Sequence, residues 1–299
     1  MRRWATLLGC VLEWRRSSLA GFVLAISIVA GAQSYAPGEA VVLPGAEVAD
    51  WGRVEKVDGH FGRPLGNTTK VPAVLILHGS GGIDGRGAYY AKALQDAGIA
   101  TLEMFAPGGR PRSGTKATMP LAAAALKWLA AQREVDGTRL GVMGFSWGGV
   151  MTLLMSSELT QNALGKDVPK PIAFAPLYPT CSVIARVVKD RRSVFYGAET
   201  RMSSSPMLIQ VGTKDDYEDD ERACDGLVSS WPAAARERTT VRYYEGATHG
   251  FDTQDPPRQF NDEFARGGRG GVVRFWPTPN DAAAARTAVV AFFAEHLKP

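Results

Sequence analysis

The sequence predicts an α/β fold in which a mostly parallel central sheet carries helices on both faces. Three observations predict it. Short continuous apolar runs recur along the chain, as expected of strands buried on both sides. Segments with helical spacing alternate with those runs, the pattern of βαβ units. A glycine-crowded serine, "GFSWGG" (144–149), sits at one junction between a strand and a helix.

Taken in order, residues 33–52 are rich in Pro, Gly and Ala and read as an irregular lead-in. "AVLILHG" (73–79) is the first buried strand, and "AYYAKALQDAG" (88–98) a helix stopped by glycine. "IATLEMF" (99–105) is a strand, "MPLAAAALKWLAAQREV" (119–135) a helix, "RLGVMGF" (139–145) a strand and "GGVMTLLMSSEL" (148–159) a helix. "PIAFAPLY" (171–178), "PMLIQVG" (206–212) and "TVRYYEG" (240–246) are further strands, and "DAAAARTAVVAFFAEHL" (281–297) is the closing helix. The segment 180–204, with Arg186, Lys189, Arg191 and Arg192, breaks the rhythm. It is either a cap over a site or a solvated excursion, and the plainer reading is the excursion. No internal repeat or low-complexity stretch is present.

With 299 residues, 45% of them hydrophobic and 21% charged, the chain has ordinary globular composition. The formal net charge of +4 owes much to Arg2, Arg3, Arg15 and Arg16. Without them the remainder is near neutral, and no basic stripe points to a nucleic-acid partner. "RRSSLAGFVLAISIVAGAQS" has the three parts of a secretory signal peptide: an arginine pair, an apolar stretch from Leu19 to Ala32, and small residues before Gln33. The stretch is shorter than the roughly 20 apolar residues a membrane span needs. The expectation is therefore cleavage after residue 32, a single domain over 33–299, a periplasmic or secreted location and no stable membrane anchor. Arg15-Arg16 also resembles a twin-arginine signal. Cleavage removes Cys10 and leaves Cys181 and Cys224, an even pair that invites a disulfide in an exported protein. The alternative is two separate buried thiols.

Ser146 lies in the pattern G-x-S-x-G, Gly144 to Gly148, in a strand-turn-helix context. Such a serine must occupy a sharp turn that lets its hydroxyl project from the sheet. Side chains at Gly144 and Gly148 would collide with the neighbouring strand and helix, and the helix amino terminus favours developing negative charge. A serine hydroxyl needs a base to become a nucleophile. Only four histidines are available. His296 lies in the closing helix, His60 in an early loop and His78 at the end of the first strand. His249, in "YEGATHGFD", follows the last strand and completes the chain order serine, acid, histidine. The acid is Asp215, first after a strand and a glycine turn in "LIQVGTKDDYEDDE", with Asp216 as its rival. Glu218, Asp219, Asp220 and Glu221 read as a solvated acidic helix start. Two backbone amides are needed for the oxyanion: that of Trp147, and one from the loop "HGSGGIDG", with Ser80 preferred and Gly81 next. His78 is then a brace for that loop. Trp147, Tyr178, Tyr217 and Phe251 suggest an apolar acyl or aromatic pocket.

"LHGSGG", "GFSWGG", "VGTKDDYEDDERAC" and "YEGATHGFD", in this order and spacing, resemble the dienelactone hydrolase family of α/β-hydrolases. The resemblance runs from about Pro72 to the C-terminus. It implies an α/β-hydrolase fold and cleavage of a small-molecule ester or lactone without metal or organic cofactor. It also implies a triad of Ser146, Asp215 and His249, with Trp147 and the 78–82 loop as the oxyanion region. Dienelactone hydrolases proper use a cysteine nucleophile, so serine at 146 implies a more general serine esterase. Two other readings share these residues: a serine peptidase or acyltransferase on the same scaffold, and a catalytically silent binding module.

Overall fold

Every residue of β3 (Val71–Leu77) is buried. Parallel neighbours on both edges and helices on both faces make this possible. Along the strand, Ala73, Leu75 and Leu77 join one apolar core, while Val74 and Ile76 join the other, as the period of two requires. On one edge lies β4 (Ala100–Phe105) and on the other β5 (Val135–Phe145), both parallel to β3. The parallel run continues through β6 (Ala173–Leu177), β7 (Met207–Lys214) and β8 (Thr239–Thr248). Beyond β4 the sheet is completed by antiparallel β2 (Gly52–Gly62) and β1 (Glu39–Val48), giving the order β1-β2-β4-β3-β5-β6-β7-β8. The computed structural model describes residues 38–64, 66, 69–106 and 114–298.

Helices α2 (Gly114–Ala130) and α3 (Trp147–Met155) cover one face. Helices α1 (Arg86–Asp96) and α9 (Pro279–Leu297) cover the other, through residues such as Leu94, Val289 and Phe293. Shorter helices are α4 (Glu158–Leu164), α5 (Cys181–Val187), α6 (Ala223–Ser229), α7 (Ala233–Glu237) and the single turn α8 (Ala265–Gly268). A separate antiparallel hairpin joins β9 (Arg258–Asp262) to β10 (Gly271–Phe275). This is the α/β-hydrolase arrangement, and the described residues form one compact unit.

Several sequence expectations change, among them the helix expected over 119–135, which ends at Ala130 while Val135 opens β5. Residues 39–48 form β1, not an irregular lead-in; an edge strand tolerates Pro44, which masks the alternation. His60 belongs to β2 and pairs with Glu103 across the ladder, so it is not in a loop. The helix expected over 148–159 breaks into α3 and α4, because the Ser157 side chain accepts a hydrogen bond from the Thr160 amide and caps a new helix. The segment 180–204 is not a solvated excursion. Its charged residues Lys189, Arg191 and Arg192 do face solvent, yet Cys181, Ile184, Val188 and Phe195 are buried in the main core. The leader expected over residues 1–32 and Cys10 lie outside the described residues. Among those described, no helix is long and apolar enough to cross a membrane.

One buried group opposes the fold. Glu103 on β4 is 1% exposed, and neither carboxyl oxygen has a hydrogen-bond partner among the described residues. It packs against Gly87 of α1, where a Cβ would lie 2.0 Å from Oε1. Burial, with Asp84 adding repulsion, pushes its pKa from the ordinary 4.5 to about 7. The folded state thus keeps a proton that the unfolded chain releases, and stability falls as pH rises between 4.5 and about 7. Denaturant titrations of Glu103→Gln are expected to lose this pH dependence, worth about 3 kcal/mol in wild type.

Candidate active site

β5 ends at Phe145, α3 starts at Trp147, and Ser146 between them has φ 53° and ψ −115°. That left-handed backbone is strained for a residue with a side chain. Its neighbours explain why it persists. A Cβ at Gly144 would lie 2.3 Å from the Gly148 carbonyl oxygen, and one at Gly148 would lie 2.1 Å from that of Leu77. Only glycine lets β5, α3 and β3 approach so closely, and the approach leaves the turn no other path. The Ser146 amide donates to the Leu177 carbonyl at 3.0 Å, which ties the turn to β6.

The other two predicted residues arrive from the ends of β7 and β8. His249 Nε2 lies 2.8 Å from Ser146 Oγ, and Nδ1 lies 2.7 Å from Asp215 Oδ2. His249 and Asp215 are buried. The second carboxylate oxygen, Oδ1, accepts from the Tyr217 amide at 2.9 Å and so cannot swing away. Asp216 points elsewhere. Its carboxylate takes both a backbone and a bidentate side-chain contact from Arg274 on β10, at 2.7 to 2.9 Å. The rival acid is an anchor for the β9–β10 hairpin.

His249 is enclosed by the rings of Tyr217, Tyr178 and Phe275, at 4.4, 4.8 and 5.1 Å between centroids. Behind Tyr178 runs a buried polar network. The Tyr178 and Tyr90 hydroxyls donate to Asp252 at 2.5 and 2.8 Å, and Arg86 donates to Tyr178 Oη at 3.0 Å while it grips Asp84. This network joins the 79–86 loop, the end of β6 and the histidine loop. Burial raises the Asp252 pKa, with Arg86 and the two tyrosine hydroxyls working against it. Tyr178 and Phe251 are fully buried members of this support and, contrary to expectation, do not line the pocket.

The loop after β3 turns back through a hydrogen bond from the Gly82 amide to the Gly79 carbonyl at 3.1 Å. Ser80, at its tip, lines the cleft together with Ser146 and Trp147, while Gly81 borders an adjoining part of it. Trp147 is the first residue of α3, so its amide has no partner within the helix. His78 is buried; Nδ1 donates to the Gly79 carbonyl at 2.6 Å and Nε2 accepts from the Ala106 amide at 3.0 Å. Burial keeps its pKa low, the Gly79 contact opposing this, and the imidazole serves as a brace.

The cleft over Ser146 has two lobes. An apolar lobe of about 230 Å³ is walled by Trp147, Val150, Leu154, Val183, Val187 and Phe264. A polar lobe of about 220 Å³ is bordered by Asp84, Arg86, Arg258, Phe260, Asp262 and Phe275. Sequence reading missed the hairpin that supplies Phe260, Asp262 and Phe264, although "RQFND" and "GVVRF" flank a glycine-rich turn as hairpin strands do.

Cys181 and Cys224 form a disulfide between the starts of α5 and α6, with the Cα atoms 5.1 Å apart. Glu218 beside it is not solvated as expected: it is buried and accepts from the Cys181 and Ser182 amides and the Ser182 hydroxyl. Asp219, Asp220 and Glu221 are exposed. Cys181, Glu218 and Cys224 offer ligand atoms within 4.8 Å of one another, but the sulfurs are bonded together and Glu218 is occupied.

Fold and site together define an α/β-hydrolase with a serine at the elbow. The sequence model of the dienelactone hydrolase family matches residues 100–297, and the chain belongs to that family. Membership places it among the carboxylic ester hydrolases. No curated protein matches the sequence. Solved structures share the fold at low identity. The dienelactone hydrolase from Anabaena variabilis is 17% identical with a TM-score of 0.55, covering 87% of this chain and 99% of that one. Est1E from Butyrivibrio proteoclasticus is 14% identical with a TM-score of 0.57, covering 85% and 99%. Thermogutta terrifontis esterase 2 phosphorylated by paraoxon is 17% identical with a TM-score of 0.59, covering 86% and 97%.

The disulfide joins residues 43 apart. Replacing both cysteines by serine is expected to lower stability by about 4 kcal/mol in the chain-entropy account, measured by equilibrium denaturation.

Proposed function

We propose that the protein is an exported serine hydrolase that cleaves carboxylic esters or lactones through an acyl-enzyme on Ser146. One observation carries the reading: the hydrogen-bonded row Ser146–His249–Asp215 at the mouth of an apolar lobe. His249 takes the Ser146 proton as the hydroxyl attacks the carbonyl carbon. Asp215 holds the imidazole with Nε2 facing the serine and stabilises the imidazolium that forms. The Trp147 and Ser80 amides receive the developing oxyanion, Gly81 being the alternative donor. His249 then protonates the leaving alcohol, and water, deprotonated by the same imidazole, releases the acid. The helix start beneath Ser146 favours the same negative charge. Export is supported by the leader-like residues 1–32 and by the buried disulfide.

The related fold caught phosphorylated by paraoxon makes a phosphorus electrophile the natural probe. A fluorophosphonate is expected to add once, at Ser146, as read by intact mass and peptide mapping. Ser146→Ala should lose both the adduct and ester turnover; turnover that survives this substitution would overturn the mechanism. Asp215→Asn should lower kcat by about 10⁴, the loss expected when the histidine is held in the wrong tautomer. Asp216→Asn should fall far short of that, because Asp216 contacts Arg274 and not His249.

A further inference from the structure

The serine-hydrolase reading leaves the substrate open, and the following inference rests on it. The two lobes differ in chemistry, and the direction of the reaction distinguishes their roles. Trp147, whose amide faces the oxyanion, lines the apolar lobe and not the polar one. Of the rings around His249, Tyr217 borders both lobes, whereas Phe275, in T-shaped contact at 5.1 Å, lines the polar lobe and not the apolar one. The leaving alcohol must lie where His249 can protonate it, so it occupies the lobe on the Phe275 side. The acyl group, which stays on Ser146, extends into the apolar lobe between α3 and α5.

The walls of each lobe then state what they accept. Val150, Leu154, Val183 and Val187 give the acyl group a hydrocarbon wall to pack against, with Thr180 and Asp262 at its border. The polar lobe places Arg258 and Asp262 beside the bonded pair Arg86–Asp84, and Asp262, which also accepts from the Tyr217 hydroxyl, stands on the border with the apolar lobe. An anionic alcohol would meet the two carboxylates, and a cationic one the two guanidinium groups. A purely hydrocarbon alcohol would desolvate the Arg258 guanidinium and the remaining lone pairs of Asp84 and Asp262 without replacing their hydrogen bonds to water. A neutral alcohol with several hydroxyls suits them, because each hydroxyl both donates to a carboxylate and accepts from a guanidinium. The lobe also has an aromatic floor for the C–H face of such a molecule. Phe260 stacks on Phe275 at 5.6 Å, and the Arg258 guanidinium lies 4.9 Å from the Phe275 centroid.

We infer that the substrate is an ester joining an apolar acyl chain to a neutral, hydroxyl-rich alcohol, with the acyl chain bound between α3 and α5 and the alcohol bound under the β9–β10 hairpin. The test compares kcat/KM of the purified protein on four esters: 6-O-octanoyl methyl glucoside, 6-O-acetyl methyl glucoside, ethyl octanoate and octyl acetate. The octanoyl glucoside is expected to exceed the acetyl glucoside and ethyl octanoate by about ten-fold each, with octyl acetate poorest. Val183→Phe should lower the octanoyl-to-acetyl ratio by about ten-fold, and Arg258→Met the glucoside-to-ethyl ratio by as much. A preference for octyl acetate over ethyl octanoate would invert the assignment and overturn it. So would a flat profile in wild type, which does not depend on any variant folding. A flat profile together with a fluorophosphonate adduct on Ser146 sinks this inference alone. Absence of both adduct and turnover sinks the serine-hydrolase reading beneath it.

Discussion

The contact between Gly148 and the carbonyl edge of β3 is the constraint on which the site depends. With Gly148 against Leu77 and Gly144 against Gly148, the chain crosses from strand to helix in a single residue. That residue, Ser146, is left with a positive φ, at a cost of about 1–3 kcal/mol. The surrounding sheet offsets this cost through the bond from the Ser146 amide to Leu177 and the continuous packing of α3 against β5 and β6. Once the turn is formed, the hydroxyl and the Trp147 amide have only one place to be. The functional geometry follows from backbone crowding.

A second layer of order comes from charge buried where water cannot compensate it. Arg86 is 3% exposed and Asp252 fully buried, and they communicate through the Tyr178 hydroxyl. Tyr178 also has a positive φ, 36°, and Thr180 follows at 51°. The chain leaving β6 is therefore bent twice, which carries Tyr178 beneath His249 and α5 out to form a wall of the apolar lobe. Buried networks of this kind hold one arrangement because a partly satisfied alternative is expensive. The hairpin is fastened by the same kind of interaction at the surface. Asp216 holds Arg274, and Asp219 meets both Arg186 and Arg269.

Some features could be read directly because they depend on neighbours in sequence. Short apolar or aromatic segments alternating with helical ones identified the parallel strands β3 to β8, and the glycine spacing around Ser146 identified the elbow. Chain order selected Asp215 and His249 from a small set of acids and histidines. Asp215 could be preferred over Asp216, but the reason Asp216 is unavailable, its contact with an arginine 58 residues away, has no local signature. Glu218 was misread for a related cause: among a run of acids, only the fold decides which one turns inward to meet the Cys181 and Ser182 amides.

The sequence by itself therefore determined the α/β layering, the nucleophile turn and the identity of the three residues that meet there. Each of these follows from periodicity or from glycine at positions where a Cβ has no room. Tertiary structure alone decided what surrounds them: the three rings around His249, the brace through Arg86, and the division of the cleft by α5 and the β9–β10 hairpin. The physical reason is that these are contacts between short, weakly patterned segments. Residues 180–204 and 258–275 carry mixed apolar and charged residues, so their period says little about which side is covered. Their orientation is set by the groups already fixed at the ends of β6 and β7.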